Sequence, residues 1–310
     1  MIFYNKKQCT ILGSGFGLYG YLPAAVNCGY YVLLPYRYKS IFDGRKELLR
    51  YKDSVSFVEK EEEAVKASSL CIVAKRPEDQ YHLIQQLISF NSLERLILEK
   101  PIAPNPKMAW ELYKILNESN KNIRVGYSFF YTEWGVQAHK FLKQNSCNGS
   151  NLIKIEWTFM AHHFQHEIDS WKRHADSGGG ALRFYGIQLI GILAAANEWT
   201  ILNSVLYCTN KDEAIRWKAL IVCKEDCLVN ICVDSKNKNR KFICQIQTKD
   251  NQNVYLYENE SPFTASKDDQ DCRIGVLEKI VEIDSNKDMF IKQSIKLWDL
   301  IEKNSKVIMI

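Results

Sequence analysis

The stretch QCTILGSGFGLYGYLPAAVN, Gln8–Asn27, decides how this chain is read. An apolar strand, Gln8–Leu12, runs into Gly13-Ser14-Gly15, and Phe16–Asn27 then has helical spacing. Glycines let a backbone turn tightly and approach a pyrophosphate, while the helix start offers free N–H groups. The third glycine of a G-x-G-x-x-G pattern would fall on Leu18, with Gly17 and Gly20 out of register. Taken alone, the motif fits a bare glycine-rich turn equally well.

Further strands are expected at Tyr31–Tyr36, Val55–Val58, Leu70–Ala74, Leu93–Leu98 and Asn122–Tyr127. Helical patterns at Ile41–Arg50, Glu61–Lys66, Asp79–Ile88 and Pro106–Glu118 alternate with them. That alternation predicts a parallel sheet with helices on both faces. After about Gly126 the pattern changes. A helix, Glu133–Leu142, and a polar turn, Asn145–Ser150, precede strands at Leu152–Met160, Ile201–Thr209, Ala214–Val222, Leu228–Asp234, Lys241–Thr248 and Val254–Tyr257. With a polar turn at Lys236–Arg240, these suit an antiparallel sheet covered by a helix over Gly180–Asn197. Ser261–Asp271 reads as a polar loop, and Lys287–Glu302 as a closing amphipathic helix.

The length of 310 residues suggests two domains, and 46% hydrophobic content is ample for two cores. The net charge of +5 is spread among interleaved acids, which argues against a nucleic-acid partner. Among ten cysteines, Cys9, Cys71 and Cys232 sit singly in apolar runs, as small buried hydrophobes do. Cys223 and Cys227 are too far apart for a C-x-x-C pair, and no zinc set is completed. The N-terminus has no signal-peptide core and no apolar stretch approaches membrane-spanning length, so a soluble cytoplasmic protein without a membrane partner is expected.

Two further segments carry chemistry. After the second strand the sequence is Tyr36-Arg37-Tyr38-Lys39, with cations where an acid would bind ribose hydroxyls. A cation there accommodates a 2′-phosphate, which favours NADP over NAD; the alternative is two solvated surface residues. Leu98-Glu99-Lys100-Pro101 places a lysine just past a buried strand, where doubly wound sheets gather ligands. It is either an ordinary turn residue or a group that hydrogen-bonds a substrate hydroxyl.

Gly13-x-Gly15 with Leu22-Pro23-Ala24, Glu99-Lys100-Pro101, Val125-Gly126-Tyr127, and Trp171 ahead of Gly178-Gly179-Gly180 fall in one order. In that order the chain resembles the Gfo/Idh/MocA family of pyridine-nucleotide oxidoreductases. The resemblance implies an α/β fold: an N-terminal Rossmann domain at 1–125 and a C-terminal α/β domain at 126–310 with a largely antiparallel open sheet. The last helix is expected to pack back on the first domain. It also implies a homodimer or homotetramer through the C-terminal sheet, a sugar-like substrate, and a cis bond before Pro101. Surface-polysaccharide sugar synthesis is the setting this suggests. Gly13, Ser14, Gly15, Phe16, Gly17, Arg37, Lys75, Glu99 and Lys100 are the expected cofactor contacts, with Lys100 also touching substrate.

The family's Asp and His, four apart on a helix after the glycine turn, correspond here to Phe184 and Gln188 in GGGALRFYGIQLI, Gly178–Ile190. Gln188 cannot carry a proton at neutral pH. Lys100, Tyr185 or the cluster His162-His163-Phe164-Gln165-His166 could replace it. His162 and His166, at i and i+4, could share a helix face. A zinc site there lacks a third ligand and the glutamate next to the first histidine, so no metal is expected, and a substrate pocket or plain surface histidines are the readings left. Trp171 is expected near substrate. Arg183 is either a surface residue or an anchor for a substrate phosphate or carboxylate. Three functions follow: a sugar oxidoreductase, a cofactor-binding regulator that has lost its proton carrier, or a reductase of a C=N or C=C bond.

Overall fold

The computed structural model describes residues 7–144, 152–224, 227–247, 253–264, 270–283 and 290–310. The expected turn Asn145–Ser150, residues 265–269 of the expected loop Ser261–Asp271, and the first three residues of the expected helix Lys287–Glu302 lie outside them. The chain divides into two units. The first comprises Met1–Ile102, Glu111–Ser128 and Phe263–Asp288; the second comprises Ala103–Trp110, Phe129–Pro262 and Met289–Ile310.

The first unit holds a six-stranded sheet of β1 (Gln8–Leu12), β2 (Tyr31–Pro35), β3 (Val55–Val58), β4 (Leu70–Val73), β5 (Arg95–Leu98) and β6 (Asn122–Val125). Its order is β3-β2-β1-β4-β5-β6 and every pairing is parallel. This is the doubly wound order, with the switch point between β1 and β4. Ile11, Leu12, Val32, Leu34, Ile72 and Leu98 are fully buried. Burial of both faces is why these strands read as unbroken apolar runs. Cys9 and Cys71 belong to the same core, and burial pushes both thiols up.

The connecting helices are α1 (Leu22–Asn27), α2 (Lys39–Asp43), α3 (Glu61–Lys66), α4 (Pro77–Leu87) and α5 (Pro106–Glu118). The single helix expected over Phe16–Asn27 is a π turn, Gly17–Tyr21, followed by α1. The one expected over Ile41–Arg50 is α2 and a 3₁₀ segment, Lys46–Ser54, separated at Gly44. Glycine weakens a helix interior by about 1 kcal/mol, enough to divide so short a segment.

The second unit contains α6 (Glu133–Gln144), β7 (Leu152–Met160), α7 (His162–Gln165), α8 (Ile187–Ala196), β8 (Trp199–Asn210), β9 (Glu213–Cys223), β10 (Leu228–Asp234), β11 (Lys236–Gln247) and β12 (Asn253–Asn259). Helix α9 (Ile274–Glu282) then returns to the first unit, and α10 (Ile291–Asn304) and β13 (Ser305–Met309) finish the second. The sheet order is β12-β11-β7-β10-β9-β8-β13. Its pairs are antiparallel except β7 with β10 and β8 with β13, so the sheet is mixed but largely antiparallel.

Two expectations are corrected here. Lys236–Arg240 is strand, not turn: β10 and β11 flank β7, and the chain crosses the end of β7 through Ser235 alone. Its polar composition reflects a mostly exposed bulge between the Lys236–Met160 and Lys241–Thr158 pairs. Helix α10 belongs to the second unit, with Ile291, Ile295, Trp298 and Ile301 buried, and α9 to the first. Finally, one stretch, Ala175–Ala196, is long and apolar enough to cross a membrane, but 72% of its most apolar window is buried within the protein. Helix α8 is apolar on all sides because it is a core helix.

Candidate functional site

In the first unit the glycine turn stands at the switch point. Gly13 has φ +152°, and a Cβ there would lie 2.2 Å from the Ala74 carbonyl oxygen. Only glycine fits between the ends of β1 and β4. A Cβ on Gly15 would meet nothing within 4 Å, so this backbone is open to close approach. A Cβ on Gly17 would lie 3.0 Å from Ile11 Cγ2, so Gly17 takes the close helix-to-strand contact that a third glycine would make. The wider π turn changes which residue faces the strand, which is why the sequence spacing looks irregular. The Phe16 ring carries the Arg273 guanidinium 4.2 Å from its centroid. Arg273 in turn grips Asp271 through two bonds of 2.7 and 2.5 Å. Sequence reading passed over both residues, which lie at the start of α9.

At the end of β2, Arg37 donates to the Tyr38 hydroxyl at 3.4 Å. Arg37 pairs with Glu61, and Lys75 Nζ lies 3.3 Å from the same carboxylate oxygen. Lys39 does not join them; it pairs with Asp43 one helical turn on, at 2.5 Å.

At the end of β5 the Glu99-Lys100-Pro101 turn is clamped by Gln80, a fully buried residue on α4. Gln80 Nε2 donates to the Glu99 carbonyl at 2.7 Å, and its Oε1 accepts the Glu99 N–H at 3.1 Å. The Lys100–Pro101 bond is cis. Glu99 accepts the Tyr21 hydroxyl at 2.8 Å. Burial pushes the Glu99 carboxyl up, against the opposing pull of Lys100 and Tyr21. A Cβ on Gly126 would stand 2.6 Å from Glu99 Oε1 and 2.5 Å from Tyr21 Oη, so glycine leaves room for this pair. Gln80 was legible only as a lone amide on an otherwise apolar helix face. Gln80→Leu strands the Glu99 carbonyl, and we expect a loss of about 1–3 kcal/mol in urea unfolding. Equal unfolding midpoints for the two proteins would show that the clamp is dispensable.

In the second unit, Gly178 and Gly180 have φ of +86° and +85°. A Cβ on Gly179 would meet the Trp171 carbonyl oxygen at 2.4 Å. All three glycines are therefore structural, and they deliver the chain into a π segment, Ala181–Gly186. The loop before them is pinned to the β8–β9 turn: Asp212 accepts the Asp176 N–H at 2.7 Å, and His174 bridges Asp212 at 3.1 Å and Asp169 at 2.6 Å. The Asp169 hydrogen bond is the main cause of a raised His174 pKa, and it holds Asp169 low. A raised histidine contributes its stability below the unfolded value of about 6.5 and loses it as pH rises through the folded value. The aspartate loses its share as pH falls through its own lowered pKa. Comparing urea midpoints of the parent and His174→Gln, we expect the gap to be widest between about pH 4 and 6.5 and to close at higher pH. A gap independent of pH would rule this out.

Half-buried aromatic rings gather beside that loop. Tyr185 meets Phe184 at 4.7 Å, Phe159 at 4.8 Å and Trp157 at 5.5 Å, and Trp171 meets Phe184 at 5.2 Å. Burial pushes the Tyr185 phenol up. His163 stacks with Tyr185 at 6.4 Å and is buried, with no hydrogen-bond partner for Nε2. Burial is the first cause that lowers its pKa to about 4, so it is neutral at pH 7. His162 and His166 do share a face of α7, with ring centroids 4.4 Å apart, but both are exposed.

Two expected site residues are otherwise engaged. Gln188 is buried, and its Oε1 accepts the Phe129 N–H at 3.4 Å. Arg183 is locked to Glu302 by bonds of 2.7 and 2.8 Å and also donates to the Ala175 carbonyl at 2.6 Å. Trp298 Nε1 completes that cluster on Glu302 at 2.7 Å. Arg183 thus ties the π segment to α10. Among the described residues, no three His, Cys, Asp or Glu side chains come together as a metal site.

No family model and no curated protein matches the chain. Solved structures do. A mutant of KijD10, a 3-ketoreductase from Actinomadura kijaniata in complex with TDP-benzene and NADP, superposes with a TM-score of 0.72 at 12% identity, over 99% of this chain and 100% of that one. An oxidoreductase from Thermotoga maritima gives 0.73 at 14%, over 96% of each chain. A super-repressor mutant of Gal80p from Saccharomyces cerevisiae gives 0.69 at 11%, over 96% and 94%. The chain therefore has the two-domain α/β fold of these proteins, a parallel Rossmann sheet followed by a mixed sheet.

Proposed function

We propose that the protein is an NADP- or NAD-dependent oxidoreductase of the Gfo/Idh/MocA type, interconverting a secondary alcohol and a ketone on a sugar or nucleotide-sugar-like substrate. One observation carries this reading. The open Gly13–Gly17 cradle at the ends of β1 and β4 and the clamped Glu99-Lys100-Pro101 turn at the end of the neighbouring β5 share one sheet. The cradle fits a dinucleotide, because Gly15 leaves the backbone bare and Arg37 and Lys75 supply positive charge near it. When bound, the dinucleotide supplies or accepts the hydride. Lys100 donates a hydrogen bond to the reacting oxygen and steadies the charge on it as the proton leaves or arrives. In the second unit the neutral His163 offers one hydrogen bond through Nε2 beside the rings of Tyr185, Phe184 and Trp171, a group suited to a sugar-like ligand. Synthesis of a surface-polysaccharide sugar belongs to the same proposal.

A second reading is a cofactor-binding regulator. What favours it is Gln188, which is buried and bonded to backbone at the position where the family resemblance implies a histidine. Calorimetry with NADPH and NADH, followed by turnover on a panel of keto-sugar nucleotides, tests both. Binding with turnover supports the enzyme, binding without turnover across the panel supports the regulator, and no binding of either coenzyme overturns both.

A further inference from the structure

The cation pair beside the glycine turn already holds an anion of the protein's own. Arg37 follows β2, Lys75 follows β4, and both reach the same oxygen of Glu61, the first residue of α3. The Arg37 and Glu61 side chains are 57% and 26% exposed, and Lys75 is 21% exposed. Ion pairs this accessible are worth about 0–1 kcal/mol, so a better anion displaces the carboxylate at little cost. A phosphate dianion is a better anion, with three acceptor oxygens and twice the charge. Lys75 follows Ala74, whose carbonyl faces Gly13, which sets the pair beside the turn where a dinucleotide's ribose would lie.

We propose that Glu61 is an internal anion that occupies the Arg37–Lys75 pair until a ribose 2′-phosphate displaces it, and so sets the protein's discrimination between phosphorylated and unphosphorylated dinucleotides. This rests on the dinucleotide-binding reading above. With NADP(H) the carboxylate must turn away from the phosphate. With NAD(H) it stays and accepts a ribose hydroxyl. Glu61 therefore narrows a preference that Arg37 and Lys75 alone would make steep, which a rule looking only for an acid or a cation after β2 would miss.

The test is calorimetric titration of the parent, Glu61→Gln and Glu61→Ser with NADPH, NADH, adenosine 2′,5′-bisphosphate and 5′-AMP. Removing one unit of like charge at a part-exposed site should tighten NADPH and the bisphosphate about tenfold. NADH and 5′-AMP should be unchanged or weaker. Arg37→Ala and Lys75→Ala should weaken only the 2′-phosphorylated ligands. If the parent binds both coenzymes but both Glu61 variants leave their ratio unchanged, or shift both in parallel, the role of Glu61 is overturned while the cofactor reading stands. If the parent binds neither, the cofactor reading falls and takes this inference with it.

Discussion

Lys100→Ala is expected to lower kcat by about 10²–10³-fold, the usual worth of a positioned donor to a developing oxyanion, while NADPH affinity is nearly unchanged. The separation follows from the sheet. Lys100 ends β5, whereas the Gly13–Gly17 cradle lies at the ends of β1 and β4. Removing an amine placed at the reacting oxygen should leave the pyrophosphate contacts intact. The fold should survive too, because Gln80 holds this turn through the backbone of Glu99 and not through the lysine side chain. Single-turnover kinetics beside a fluorescence titration would show the split. A variant with near-parent kcat would reduce Lys100 to a turn residue.

Arg95→Leu is expected to be the most destabilising single change in the first unit, at about 3 kcal/mol or more. Arg95 is buried at the first position of β5. Its guanidinium donates to the carbonyls of Val281 and Ile283 at 2.8 and 2.7 Å, and to the Tyr30 hydroxyl at 2.8 Å. Those carbonyls close α9, where the helix dipole presents its negative end. Leucine would remove the donor that the Val281 and Ile283 carbonyls share. Urea unfolding and amide exchange over 274–283 would register it, and Arg95→Lys should recover part of the loss. Unchanged protection of α9 would show that apolar packing of Leu277, Ile280 and Val281 alone holds the helix.

The first sheet was legible because parallel strands buried on both faces leave unbroken apolar runs, and the cradle because Gly13 admits no other residue. The polar end of β11 was misread because exposed strand and turn share a composition. Strand β13 went unseen because it follows α10 without a glycine or proline, and because its exposed Val307 and Met309 sit on a sheet edge. Local spacing says nothing about partners far along the chain. Arg183 meeting Glu302, Arg37 and Lys75 sharing Glu61, and Gln80 clasping Glu99 are all of that kind. Phe184 falls in the π segment and Gln188 in α8, and only the fold shows that Gln188 is bonded to backbone.

The return of α9 to the first unit has a consequence for the order in which the molecule can be made. Sheet β1 to β6 is synthesised early, but its own covering helix emerges only after β7 to β12. Until then Arg95 has no carbonyls to meet, and the apolar surface that receives Leu277, Ile280 and Val281 stays uncovered. A nascent chain that has passed β6 therefore carries a nearly complete nucleotide fold that cannot close. Contacts of such long sequence separation are slow to form. The unfinished face is where a chaperone would bind on the ribosome, and a fragment cut after Val125 would aggregate through it.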